Sequence, residues 1–351
     1  MAQRIALFDN LKGIAILLVV LGHFVEQATY GDASHILQTV LTYIYLFHMP
    51  LFLFVSGLFA GLAWYKKRNA PVDKFLLYLV LYILFMLALS VVESILSGTV
   101  EIMNFFVVGS APWFMLVLAL FMIMVPIIGS MKPVVFLPIS IFVAAASGIY
   151  LDNATTLSLS RAFVYLPYFA LGFYLQPSNI IRFVDFFRNK IGVCLVKVLC
   201  AVLLCALFLL LYSFPNEALI YFKKISSGLN LLTVVSDSWN VPLWLVCLLR
   251  VVEYGVVVII MATIILLSPK DLSIFTKLRE RSFQIYIAHM FVIYYAIAAM
   301  HFYETFCPVF EFVVWTPFIF APILTWLLSI PKFLNVWIKN LSSWCKKISS
   351  F

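Results

Sequence analysis

Ten runs of apolar residues, each near the length of a membrane-crossing helix, leave this chain little choice of environment. They fall at 9–29, 39–63, 75–95, 112–130, 133–150, 161–176, 191–213, 241–267, 282–301 and 313–331, the fifth and sixth being short or interrupted. A helix crosses a hydrocarbon layer of about 30 Å with about 20 such residues. None of the runs has the ten-residue alternation of a membrane β-barrel. The expected fold is therefore all-α: a polytopic membrane helical bundle of about ten transmembrane helices, with the lipid bilayer as its solvent. Composition agrees. The chain is 65% hydrophobic and 11% charged, with a mean hydropathy of +1.10, whereas a soluble domain is about half apolar and about a quarter charged. The 351 residues contain no evident repeat, low-complexity segment or soluble module, so 1–351 reads as one membrane domain. No small-residue cleavage site follows the first run, which reads as a retained signal anchor.

The net charge of +8 raises the question of a nucleic-acid partner, and the positions of the charges answer it. With the N-terminus in the cytoplasm, 18 of the 23 Lys and Arg residues fall on the inner side, among them Arg4, Lys12, Lys66, Lys67, Arg68, Arg182, Arg188, Lys270 and Arg279. The outer loops hold Lys223 and Lys224, and Arg161 lies at an outer helix end. This bias follows the positive-inside rule. Both termini are expected in the cytoplasm, and no nucleic acid is needed to explain the charge. The longest outer loop, about 214–240, contains an amphipathic stretch suited to the membrane surface. Six cysteines form no Cys-x-x-Cys pair and no metal-ligand spacing, so neither a disulfide framework nor a metal site is expected.

Against this apolar background the first run keeps Asp9, Lys12, His23 and Glu26, with Tyr30 just beyond. Filled in as 9, 12, 16, 19, 23, 26, 30, the steps of three and four trace one face of a helix. Ionisable groups inside a membrane are costly and face a cavity or a partner. Asp9 and His23 are 14 residues apart, roughly 21 Å along a helix, and do not touch. His23 and Glu26 are i, i+3 neighbours, so the carboxylate is able to orient the ring and favour its charged form. The alternative is a buried histidine that only steadies packing. The second run carries His48 at a depth similar to that of His23, so the two rings are expected in one layer; Pro50 loosens the ladder nearby, and Ser56-Gly57 permits a close helix approach. Counted from residue 282, His289 lies only about 10 Å from the inner face, a different layer, and reads as a packing residue. Arg250 and Glu253 read as a structural i, i+3 pair. Trp113 reads as an interface anchor, with sugar stacking as the second reading.

"DNLKGIAILLVVLGH" (9–23) followed by "FHMPLFLFVSG" (47–57) closely resembles the acyltransferase-3 family of integral membrane acyltransferases, in the variety typified by fucose 4-O-acetylases. "PWF" (112–114), "RAFVYLPYFALGFYL" (161–175) and "SFQIYIAH" (282–289) match further family motifs in the expected order, so the resemblance runs the length of the chain. It implies a multi-pass protein of the bacterial cytoplasmic membrane. The implied reaction moves an acyl group, usually acetyl, from acyl-CoA to a sugar hydroxyl on an envelope glycan or lipid-linked precursor. Acyl-CoA is thus a donor substrate, and no bound cofactor is expected. The resemblance makes His23 the favoured catalytic residue and marks Asp9 and Lys12 as the family's acidic and basic positions on the same helix. Many sugar-acetylating relatives carry an Arg-x-x-Arg element after the second span. Here "YKKRNAPVDK" (65–74) keeps the charge without the spacing.

Acyl transfer from a thioester needs a base for the acceptor hydroxyl and a donor for the oxyanion. A histidine suits the base role, which falls to His23, with Glu26 orienting it. His48 or Arg161 is the candidate oxyanion donor. Lys66, Lys67 and Arg68, with Lys12, form the nearest cluster for CoA phosphates, against the plainer reading of a topogenic basic loop. The competing function is a membrane transporter or exporter of a small acyl or sugar compound. Transporters commonly show repeated halves with broken helices, and the histidine-bearing motifs have no second copy here. A non-catalytic assembly partner is the third reading.

Overall fold

In a bilayer every backbone N–H and C=O must be satisfied inside the protein, and an α-helix does this within its own segment. The computed structural model is accordingly helical. It describes residues 6–31, 34–101, 103–107, 111–150, 156–229, 232–298 and 300–350; Arg4 lies outside them. Among the described residues the α-helices are α1 (Ala6–Gly31), α2 (His35–Lys67), α3 (Val72–Ser97), α4 (Trp113–Ser130), α5 (Pro133–Tyr150), α6 (Leu159–Tyr174), α7 (Pro177–Ile191) and α8 (Val193–Tyr212). They continue with α9 (Asn216–Ser226), α10 (Leu232–Trp239), α11 (Leu243–Leu267), α12 (Ile274–Arg279), α13 (Ser282–Met290), α14 (Phe302–Phe306), α15 (Pro317–Ser329) and α16 (Phe333–Ile348).

Each apolar run of the sequence falls on a helix, but six of them, α1, α2, α3, α4, α8 and α11, are long and apolar enough to cross a membrane unaided. A seventh is added if α15 and α16 count as one interrupted span. The expected ten exceed this because the other runs form short or broken helices. α6 has 16 residues. The run 282–301 is divided into α13 and a π-helix, Phe291–Ala298. The run 313–331 opens in a 3₁₀ turn, Glu311–Trp315, and α15 keeps 13 residues.

Two compact units divide the chain, the first formed by Met1–Val55, Leu175–Ser227 and Arg250–Lys332 and the second by Ser56–Tyr174, Gly228–Leu249 and Phe333–Phe351. In the first, α1 is the central helix, packed by α12, α13, α14 and α15. Leu11, Ala15, Ile16 and Val20 are fully buried. Its inner end is stitched to the segment after α11. The Asn10 amide donates to the carbonyls of Pro269 (2.9 Å) and Asp271 (2.8 Å) and accepts from the hydroxyls of Ser273 (2.7 Å) and Thr276 (2.6 Å). Gly13 lies against the backbone of Phe275, where a side chain has no room. The charges assigned to the inner side gather at this end: Asp9 pairs with Arg279 (3.1 Å), Asp185 with Lys270, and Arg188 donates to the carbonyls of Leu266 (2.7 Å) and Ser268 (2.8 Å). At the other end stands α9, the amphipathic stretch of the outer loop. It buries Ala218, Leu219 and Ile225 in the protein, and the Thr42 hydroxyl donates to the Leu219 carbonyl (3.1 Å).

In the second unit α3 packs on α4 and α16, and α6 on α4 and α5. Gly57 and Gly61 of α2 meet the backbone carbonyls of Phe169 and Phe173 of α6. This is the close approach expected at Ser56-Gly57, one helical turn repeated. α2 itself continues through Pro50 without a break. None of the six cysteines forms a disulfide.

Candidate active site

The i, i+3 pair on α1 holds in three dimensions, and it collects partners from three other elements of the first unit. Glu26 Oε2 lies 3.5 Å from His23 Nδ1. The same oxygen accepts from the hydroxyl of Tyr45 on α2 (2.8 Å) and from that of Tyr294 in the π-helix (3.2 Å). Glu26 Oε1 takes Lys223 Nζ of α9 at 2.5 Å, and the same ammonium lies 4.9 Å from the centre of the Tyr45 ring. Each phenol oxygen is 3.4 Å from His23 Nδ1. Both phenol protons are committed to the carboxylate, so what surrounds Nδ1 is three oxygens with lone pairs. That environment assigns the ring proton to Nδ1 and leaves the lone pair on Nε2. A base on Nε2 backed by a carboxylate near Nδ1 is the arrangement that holds an imidazole ready to take a proton and stabilises the cation once it has.

Two more histidines line the same layer. His48 lies beside Tyr45, ring centres 4.9 Å apart, and Tyr45 is 6.2 Å from His23. The common layer expected for His23 and His48 is therefore present, with Tyr45 beside both rings. His48 Nδ1 donates to the Ile44 carbonyl at 2.8 Å. The neutral ring has only that N–H to give, so it offers an acceptor to its surroundings; donation to an oxyanion requires the imidazolium. His289 corrects the sequence reading. Its ring is 5.4 Å from His23, not in a separate layer. The depth count assumed that residue 282 starts at the inner face. α12 instead wedges against α1 at Gly13, seven residues or roughly 10 Å inward from Ala6, and α13 starts from there. His289 Nδ1 donates to the Ile285 carbonyl (3.0 Å), and Nε2 is buried with no hydrogen-bond partner among the described residues. His23 keeps 18% of its side-chain surface, while His48 and His289 are 3% and 0% exposed, so His23 is the ring that a reactant reaches first.

The other expected site residues make contacts of their own. Asp9 is buried in its pair with Arg279 at the inner end of α1. Lys12 projects its ammonium over the rings of Phe52 (5.4 Å) and Phe283 (5.0 Å). Lys66, Lys67 and Arg68 belong to the second unit, exposed at the end of α2, where Arg68 has φ 55° and lies 5.4 Å over the Tyr65 ring. Arg161 also belongs to the second unit. Its guanidinium sits 4.9 Å over Trp113, which stacks on Tyr165 at 5.5 Å and 19°. Arg250 pairs with Glu253 (3.3 Å) and donates to the Ile225 carbonyl (2.8 Å), the structural role expected of it.

Sequence reasoning missed Tyr45, Tyr294 and Lys223. Tyr45 was within reach, since it is i, i+3 to His48. Lys223 stood out only as an exception to the inside bias. His289 and Tyr294 are five residues apart, and α-helical periodicity puts them on different faces; the π-helix that begins between them changes that register.

Fold and site together define a polytopic membrane protein with a histidine–carboxylate pair inside its bundle. Residues 5–331 match the family described as an acyltransferase domain, acyltransferase-3, and the chain belongs to that family. It is similar to the nodulation protein NolL of Mesorhizobium japonicum, 29% identical over 188 residues, 48% of each chain. It is also similar to the protein of that name from Sinorhizobium fredii, 46% identical over 55 residues, 15% of each chain. The aligned part spans about half the length, or less, of these curated relatives. No solved structure matches the chain.

Proposed function

We propose that this protein is an integral membrane O-acyltransferase that moves an acetyl group from acetyl-CoA to a hydroxyl of a cell-envelope sugar. Membership of the acyltransferase family supports the reaction class, and the observation that carries the mechanism is the His23 ring with its Nδ1 turned to Glu26. His23 Nε2 takes the proton of the sugar hydroxyl as its oxygen attacks the thioester carbonyl carbon. The C–O bond forms, the tetrahedral oxyanion collapses, the C–S bond breaks, and the CoA thiolate leaves with the proton from the imidazolium. Glu26 stabilises that cation, held in place by Tyr45, Tyr294 and Lys223. Arg161, or His48 as its imidazolium, serves the oxyanion. Lys12, Lys66, Lys67 and Arg68, with Asp9 supporting the inner end of α1, serve the CoA side. The bacterial cytoplasmic membrane gives access to CoA on one face and to envelope sugars on the other.

The test is His23→Asn. Asparagine keeps hydrogen bonding but takes no proton near neutral pH. Acetylation of the envelope glycan is expected to fall by about 10²–10⁴-fold, the usual cost of losing a general base, with the protein still inserted at its normal level. Near-normal acetyl content in that strain means that His23 is structural and removes the mechanism.

A further inference from the structure

At the outer end of α1 the first unit contains a cavity of about 310 Å³ that the catalytic chemistry above does not use. Gln27 and Tyr30 of α1 form one wall, Tyr294 of the π-helix another, and His301, Phe302 and Glu304 the rim. Tyr294 is shared: its ring lines this cavity, while its hydroxyl donates to Glu26 (3.2 Å) and lies 3.4 Å from His23 Nδ1. One side chain thus separates the cavity from the His23–Glu26 pair, on the Nδ1 side of the ring.

We propose that this cavity holds the sugar ring of the acceptor beside the His23–Glu26 pair. This rests on the acyl-transfer reading and adds the place and chemistry of acceptor recognition. Three observations carry it. The first is the lining, which combines aromatic residues (Tyr30, Tyr294, Phe302, Tyr303) and Ile297 with the Gln27 amide and the ion-paired Glu304 and His301. A pyranose presents a matching combination, with C–H faces that lie on aromatic rings and hydroxyls that both donate and accept. A lipid chain has no use for the polar half of that set. The second is size. Ligand pockets run from about 300 to 1,000 Å³, and a cavity at the bottom of that range suits one sugar ring rather than a longer glycan. The third is the backbone. The ninth apolar run departs from α-helix at this point: a π-helix covers Phe291–Ala298, and His301 has φ 48°, a left-handed conformation rare outside glycine. Irregular backbone at membrane depth persists where it is buried in protein or lines a cavity, and π-helical turns recur at functional sites. The irregularity puts Tyr294 between the cavity and the His23–Glu26 pair.

The experiment uses the full-length protein in detergent with acetyl-CoA as donor. Methyl glycosides of a hexose, a 6-deoxyhexose and an N-acetylhexosamine serve as acceptor probes. Tyr30→Ala and Gln27→Leu are each expected to raise the KM of the preferred glycoside about five- to tenfold, the size of one lost ring contact or hydrogen bond. The KM for acetyl-CoA should stay within about twofold, which separates acceptor binding from a general loss of fold. Tyr30→Phe, which keeps the ring, should restore the glycoside KM to within about twofold of the parent. Tyr30 is 63% exposed, so its replacement leaves the core intact. An unchanged glycoside KM in both variants overturns the assignment, and so do glycoside and donor KM values that rise together. Acetyl-CoA turnover that no glycoside stimulates overturns the sugar assignment alone. A parent protein whose acetyl-CoA turnover does not depend on His23 removes the acyl-transfer reading beneath it.

Discussion

Glu26 accepts from Tyr45, Tyr294 and Lys223 while facing His23, so one carboxylate joins α1, α2, α9 and the π-helix. Replacing it disturbs several contacts of different character. Glu26→Gln keeps an acceptor oxygen for a phenol but loses the charge that stabilises the His23 imidazolium and strands Lys223 beside a neutral amide. The acyl-transfer rate is expected to fall about 10- to 100-fold, less than for His23→Asn, because the base itself remains. Lys223→Met retains the stem over the Tyr45 ring and removes the ammonium. It should cost about 1–2 kcal/mol of stability, since the pair is partly buried, with 20% and 17% of the two side chains exposed. The double variant should be less harmful than the sum, because each single change leaves the other charge unpaired. Denaturation midpoints of these three proteins and the parent measure this, and strictly additive losses mean that the pair contributes nothing.

Among the helices, the closest contacts depend on glycine where backbones meet. Gly57 and Gly61 of α2 lie on the carbonyls of Phe169 and Phe173, so a Cβ at either position collides with backbone that has no rotamer to change. Gly255 of α11 has open space around its Cα. Gly57→Ala is therefore expected to destabilise by about 1–3 kcal/mol, the range for overpacking a close contact. Gly255→Ala should be neutral or stabilising by up to about 1 kcal/mol through helix propensity. Thermal stability in detergent compares the two, and equal effects contradict the packing described. Ser56-Gly57 announced this contact in the sequence because small residues are what such a crossing requires. The break in the ninth run did not announce itself: "FVIYYAIA" is apolar and unbroken by Pro or Gly, so composition predicts a continuous helix where the packed structure has a π-helix.

Across the whole molecule, sidedness is the property most directly testable. Lys224 is exposed on α9, at the end opposite the Asp9–Arg279 pair, and the charge distribution places that end outside. In a cysteine-free background, Lys224→Cys is expected to react with a membrane-impermeant maleimide on intact cells; reaction only after permeabilisation inverts the topology. Lys66, Lys67 and Arg68 belong to the inner side on the same argument and are exposed. Changing all three to Gln should raise the KM for acetyl-CoA several-fold, by about 1 kcal/mol or less per exposed charge, with insertion checked in the same strain. An unchanged KM leaves the loop with its topological role. The sequence by itself determined the membrane environment, the all-α class, the inside bias and the His23–Glu26 pair, because hydropathy, charge placement and i, i+3 spacing are local properties that survive without a fold. Only the tertiary structure decided that Tyr45, Tyr294, Lys223 and His289 join that pair. Those residues come from segments 19 to 271 positions away, and their meeting depends on where α12 wedges under α1, where the ninth run changes helical register and how α9 turns back onto the bundle. No local pattern encodes these events.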